Sequence, residues 1–175
     1  MLEIAAQKAR EAGLSIVFSC QDMRKLMLPR VDALFCACDG INYLAPEELP
    51  AFFEAASACI RPGGVLLFDM SSRYKLGHVL ADHLFFEDRE DLTYFWRNFP
   101  VPQKGCVDME LLFFQRKADG NYERQEETQR QYWHEQTDVL TQLAHVGFSA
   151  EAYAFGTGHA PGRDCERIQF FAVKK

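Results

Sequence analysis

The chain has no dense run of lysine or arginine, and its 19 basic residues are outnumbered by 25 acidic ones, for a formal net charge of −6. That balance argues against a nucleic-acid partner held mainly through phosphate contacts. No apolar stretch is long enough to span a bilayer, so no membrane association is expected. The first residues carry Glu3 in a helical repeat, unlike a secretory signal. Internal repeats, low-complexity tracts and long linkers are also missing. The five histidines, at 78, 83, 134, 145 and 159, share no metal-ligand spacing, and no metal is expected. Six cysteines, at 20, 36, 38, 59, 106 and 165, are spread through apolar segments. They predict reduced, buried thiols in a cytoplasmic protein, not a disulfide framework. What is present is globular: 175 residues, 48% hydrophobic and rich in Phe, enough for one domain with a real core.

Periodicity divides the chain. Leu2, Ala5, Ala9 and Ala12 recur at helical spacing, with Glu3, Gln7, Lys8 and Glu11 on the polar face and Gly13 as the stop. No Ser, Thr, Asp or Asn precedes this helix to cap it, so the chain reads as opening inside a longer fold. Leu14–Cys20, "LSIVFSC", reads as a strand ending at Gln21-Asp22-Met23. Val31–Cys38, "VDALFCAC", reads as a second strand, buried on both faces as in a helix-covered parallel sheet. Pro46–Ile60 follows as a helix with Leu49, Phe52, Phe53 and Ala56 on its apolar face. Arg61–Gly64, "RPGG", reads as a turn, and Val65–Met70 as a third buried strand capped by Asp69. Strand and helix alternate, which is an α/β pattern.

From Phe85 to Tyr132 the period changes to two. Val107, Met109, Leu111 and Phe113 alternate with Asp108 and Glu110, and Ala118–Asn121, "ADGN", reads as a hairpin turn. Tyr122–Trp133 reads as a long strand polar on both faces. We assign 81–133 as an antiparallel, lid-like insertion in a single domain over 1–175. Val139, Leu140, Leu143, Ala144 and Val146 then form a helix face that stops at Gly147, and two last strands flank the loop Gly156–Gly162.

Three elements carry a family resemblance: Asp22 at a strand end, "VDALFCACDGINYL" (Val31–Leu44), and "CIRPGGVLLFDM" (Cys59–Met70). With the closing helix and strand pair, they resemble the class I, Rossmann-like S-adenosylmethionine-dependent methyltransferases over essentially the whole chain. The resemblance implies a partial Rossmann-like sheet with flanking helices, an antiparallel last strand, and S-adenosylmethionine as cofactor. The family's Gly-rich loop, G-x-G-x-G, is absent from this sequence, as is the acidic residue that holds the ribose. A nicotinamide oxidoreductase, which shares the sheet type, finds no support without such a loop. The opening helix therefore aligns with the one after the family's second strand, and the domain is expected to be truncated. In the family's sheet order, 3-2-1-4-5-7-6, losing strands 1 and 2 leaves open edges. Those edges are expected to be filled by a separate polypeptide or a further part of a longer gene product, closed directly, or paired in a homodimer.

The resemblance places adenine at Asp22 and Met23, where the plain alternative is a turn cap. It places the sulfonium and acceptor beside Cys38, Asp39 and Asn42, beyond the carboxyl end of a strand. Asp39 and Asn42 are candidates to orient a nucleophile; an Asp-Gly turn is the alternative. Cys36 and Cys38 read as core thiols. Tyr74, Trp96, Arg130 and Tyr132 are candidate acceptor contacts, against ordinary packing and a solvated strand. His134, beside the lid, is the candidate base. The expected function is methyl transfer from S-adenosylmethionine to a small-molecule acceptor. The alternative is an inactive, truncated relative that dimerises or binds a partner.

Overall fold

The computed structural model describes residues 1–175. The opening amphipathic repeat forms α1, Leu2–Glu11, whose N-cap Met1 offers no side-chain acceptor and which buries only Ala9. Leu14–Cys20, expected as a strand, is irregular chain with Leu14, Ile16 and Val17 exposed. Apolar, β-branched residues suit a pleated surface, but a strand also needs a neighbour for its N–H and C=O groups. Neither sheet includes this segment.

The main sheet is built from β1, Val31–Cys36, β2, Ile60–Ser71, β7, Phe148–Ala154, and β8, Arg167–Lys174. Its order is β1-β2-β8-β7. β1 and β2 are parallel, whereas β8 runs antiparallel to both of its neighbours. The helices α2, Leu49–Cys59, and α3, Gln136–His145, cover one face. Pro46–Glu48 winds a separate tighter turn before α2 rather than continuing it.

Alternation along β2 and β8 sends Leu66, Phe68, Met70, Ile168, Phe170 and Ala172 into a core shared with Phe52, Phe53, Val139 and Leu143. Phe53 lies 5.7 Å from Phe68, which stacks on Phe170 at 4.7 Å between ring centroids. Each such side chain contributes about 1.5–3 kcal/mol by leaving water.

Two sequence expectations fail here. β1 is not buried on both faces: Asp32, Ala33 and Phe35 face solvent, Phe35 at 71% exposure. It is an edge strand, and no helix covers its second face. The Arg61–Gly64 turn is instead absorbed into β2 as an irregularity, since Val31 pairs with Ile60 while Ala33 already pairs with Val65. The cysteines also divide. Cys59 and Cys106 are buried, Cys36 and Cys165 half-buried, and Cys20 and Cys38 exposed; all six are free thiols.

Between β2 and α3 the chain builds a second, wholly antiparallel sheet of β3, Leu84–Asp88, β4, Leu92–Val101, β5, Cys106–Arg116, and β6, Tyr122–Tyr132. The Ala118–Asn121 turn joins β5 to β6, with Gly120 at φ +84°. One face of this sheet rests on the helical turn Lys75–Val79 through Leu76, Leu80, Val107 and Met109. The sheet thereby stands over the carboxyl ends of β1 and β2.

Candidate functional site

The backbone leaves β1 in a strained conformation. Cys38 and Asp39 are consecutive non-glycine residues with positive φ, +61° and +48°. Each costs on the order of 1 kcal/mol or more and persists only where its surroundings enforce it. The enforcing group is Asp69, near the end of β2. Its Oδ1 accepts from the Cys38 N–H at 3.0 Å and its Oδ2 from the Asp39 N–H at 2.9 Å. Successive N–H groups in such a turn form an anion-binding concavity, and the Asp69 carboxylate fills it. Arg167 Nε donates to the same Oδ2 at 2.7 Å, so the nearly buried carboxylate is also charge-paired. A Cβ at Gly40 would lie 2.9 Å from Cys36 Sγ, so a larger residue there would push the thiol aside. Burial pushes the Cys36 thiol up to about 11, which keeps it protonated and inert.

Asp39 points toward the second sheet. Its Oδ2 accepts from Ser71 Oγ at 2.9 Å and from Gln131 Nε2 at 3.1 Å. Asn42, fully buried, fastens the layers together. Its Nδ2 donates to the Ser71 and Tyr132 carbonyls, and its Oδ1 accepts from the Ser71 N–H. With its amide bonded to backbone partners, Asn42 ties the turn to β2 and β6. His134 is buried and its Nε2 lies 3.2 Å from the Ile41 carbonyl, so that nitrogen carries the hydrogen. It braces the same turn.

Burial pushes the His134 imidazole below its ordinary 6.5, with backbone hydrogen bonds opposing only in part. The unfolded chain therefore takes up the proton first as pH falls. The stability this residue contributes is present above about pH 6.5 and is lost as pH falls through the depressed folded value. Urea midpoints measured from pH 7 to pH 5 should drop more steeply for the wild type than for His134→Gln. Parallel profiles would remove the linkage.

Between Asp39 and the second sheet lies a cavity of about 290 Å³. Asp39, Tyr43 and Lys75 line one side, and Trp96, Gln129 and Gln131 the other. Of the four residues expected to contact an acceptor, Trp96 alone lines it. Arg130 stands on the opposite face of β6, clasping Asp108 through contacts of 2.5 and 2.7 Å that lower the Asp108 carboxyl. Tyr132 shares that phase. Tyr74 stacks on His78, with ring centroids 5.4 Å apart. The alternation of β6 puts 129 and 131 inward, the reverse of the sequence expectation. Lys75, Gln129, Gln131 and Ser71 were missed; the polar pattern of β6 carries no apolar stripe to fix its phase.

Asp22 has the geometry of a turn cap. It caps the turn Met23–Lys25, accepting from the Arg24 N–H at 2.9 Å, and Arg24 holds its carboxyl at about 2. Arg24 bonds both carboxylate oxygens, so an adenine amine would have to share them. Met23 nonetheless lies beside the Asp39–Gly40 turn, its methyl 3.9 Å from where a Gly40 Cβ would stand. Asp22–Met23 and Cys38–Asp39 thus come to one end of the main sheet.

Residues 1–64 match a family described as a methyltransferase domain. A candidate methyltransferase of Geobacillus sp. (strain WCH70) is 36% identical over all of this chain and 72% of its own length. The candidate methyltransferase YqeM of Bacillus subtilis (strain 168) is 30% identical over 99% of this chain and 71% of its own length. Among solved structures, an S-adenosylmethionine-dependent methyltransferase from Clostridium acetobutylicum ATCC 824 superposes with a TM-score of 0.91 at 28% identity, covering 99% of this chain and 70% of its own.

Proposed function

Because the chain belongs to the class I S-adenosylmethionine-dependent methyltransferases, we propose that it transfers a methyl group from S-adenosylmethionine to a small nucleophilic acceptor lodged between its two sheets. One observation carries this reading: a strained Cys38–Asp39 turn, clamped by Asp69, borders a cavity at the carboxyl end of a parallel strand pair. That is where open α/β sheets take their ligands.

The residues in hand fit two parts of the cofactor. Asp22 and Met23 suit the adenine edge. Asp39 and Asp69, with Arg167 balancing one of the two carboxylates, leave net negative charge beside the turn and suit a cationic sulfur. No residue of this chain matches the family's loop for the amino-acid and ribose groups. When bound, the cofactor supplies an electrophilic methyl on a positively charged sulfur, displaced in line.

Asp39 Oδ2 is fixed by Ser71 and Gln131, which leaves Oδ1 to accept from an N–H or O–H of the acceptor and aim its lone pair. Asn42 and His134 hold the turn in place. Leu80, Met109 and Leu111 give the cavity an apolar wall. Such a displacement depends on alignment more than on acid–base groups.

Calorimetric titration with S-adenosylhomocysteine tests the reading. The expected dissociation constant is on the order of micromolar, weakened about tenfold in Asp39→Asn. No heat at millimolar ligand would count against it.

A further inference from the structure

We propose that Tyr43 and Gln129 form a side-chain latch across the mouth of the cavity between the sheets, and that this latch limits the size of the acceptor. The proposal rests on reading the cavity as the acceptor site and adds what governs entry to it. Burial orders the cavity from floor to rim. Leu80, Met109 and Gln131 are buried, whereas Tyr43, at 47%, is the most exposed of the lining residues. Its hydroxyl reaches across to β6 and donates to Gln129 Oε1 at 2.9 Å. The cavity holds about 290 Å³, at the foot of the roughly 300–1,000 Å³ range of small-molecule sites, which suits a small acceptor.

Both ends of the latch are set in place beforehand. Tyr43 closes the turn Gly40–Tyr43, and its neighbour Asn42 pins that turn to the Ser71 and Tyr132 carbonyls. Gln129 lies two residues before Gln131 on β6, so both face the cavity. Its Nε2 donates to Glu127; a carboxylate only accepts, so the amide is turned with Oε1 toward the tyrosine. The Gln131–Asp39 and Tyr43–Gln129 contacts thus run side by side between the layers, the first on the inner side and the second at the rim. They differ in what breaking them requires. Parting Gln131 from Asp39 strands a buried amide. Parting Tyr43 from Gln129 takes only side-chain rotation, because water replaces each partner at an exposed rim. An acceptor can therefore enter here, and the latch closes behind one short enough to lie between Asp39 and Tyr43. A longer one holds the latch open and forfeits both its hydrogen bond and the contact with the ring.

Ligand-observed NMR on the full chain tests this with phenylalaninamide and the dipeptide amide phenylalanyl-leucinamide, which share a free amine for Asp39 and differ in length. Wild type should bind the shorter probe about tenfold more tightly. Tyr43→Ala should bring the two to within about twofold by gaining affinity for the dipeptide. Gln129→Ala, which keeps the ring and breaks the latch, should close part of the gap. A merely structural role would weaken both probes alike and leave their ratio unchanged. Equal binding of the probes to wild type, binding of neither, or a gap that survives Tyr43→Ala overturns the assignment. The wild-type ratio decides even where a variant fails to fold. No cofactor enters these titrations, so failure of S-adenosylhomocysteine to bind would defeat the transfer reading separately and leave this ratio as it stands.

Discussion

Asp69→Asn should lower stability by about 2–3 kcal/mol and abolish binding of S-adenosylhomocysteine. The carboxylate accepts three hydrogen bonds, from the Cys38 and Asp39 N–H groups and from Arg167. An amide has one accepting oxygen. If that oxygen stays with Asp39 and Arg167, the amide nitrogen faces the Cys38 N–H, donor against donor. Flipping the amide leaves Arg167 and Asp39 facing the nitrogen instead. Either way a part-buried donor goes unsatisfied and Arg167 loses its counter-charge, together worth about 2–3 kcal/mol. The loss of binding has a different origin. Two left-handed residues in succession relax once nothing holds their N–H groups, and the turn that carries Asp39 moves with them. Urea unfolding reads the first effect and calorimetry the second. A variant within 0.5 kcal/mol of wild type would show that the turn holds itself.

Phe170→Ala should be the most damaging single change in the core, at about 3–5 kcal/mol. Phe170 is fully buried and stacks nearly parallel on Phe68, at an interplanar angle of 6°. It sits in the middle of β8 facing α2 and α3, so its removal opens a void between three elements that cannot all collapse inward. Domains of this kind hold only about 5–15 kcal/mol in total, so the variant should melt far below wild type. The neighbouring Phe171→Ala is the control. Phe171 lies on the uncovered face of the sheet, and its loss should cost less than about 1 kcal/mol. Equal effects at 170 and 171 would contradict the assigned faces.

Local signals survived folding where they were self-contained. The Gly13 and Gly147 stops, the Ala118–Asn121 hairpin and the apolar face of α2 depend on neighbours a few residues away, and each is where the sequence puts it; α3 buries Val139 and Leu143 of its expected face but leaves Ala144 exposed. Asp39 was legible for the same reason, as an Asp-Gly pair at a strand end. Leu14–Cys20 and the outer face of β1 were not, because burial there depends on what lies alongside in space. The Asp69–Arg167 pair spans 98 residues and leaves no trace in either local pattern. β6 misled differently. With polar residues at nearly every position, nothing distinguished its two faces, and Arg130 and Tyr132 were chosen over Gln129 and Gln131.

The open side of β1 bears on how the protein behaves when concentrated. A strand edge with free N–H and C=O groups is a template for any extended peptide that arrives in register. β1 guards that edge with a single charge, Asp32, which Arg61 partly neutralises at 2.7 Å, while Phe35 offers an incoming strand a large apolar contact. Association through this edge would not depend on the strength of the Phe-rich interior. A variant stabilised at Phe68 or Phe170 would melt later and still precipitate as readily, whereas a second charge on β1 would improve solubility without raising the melting temperature.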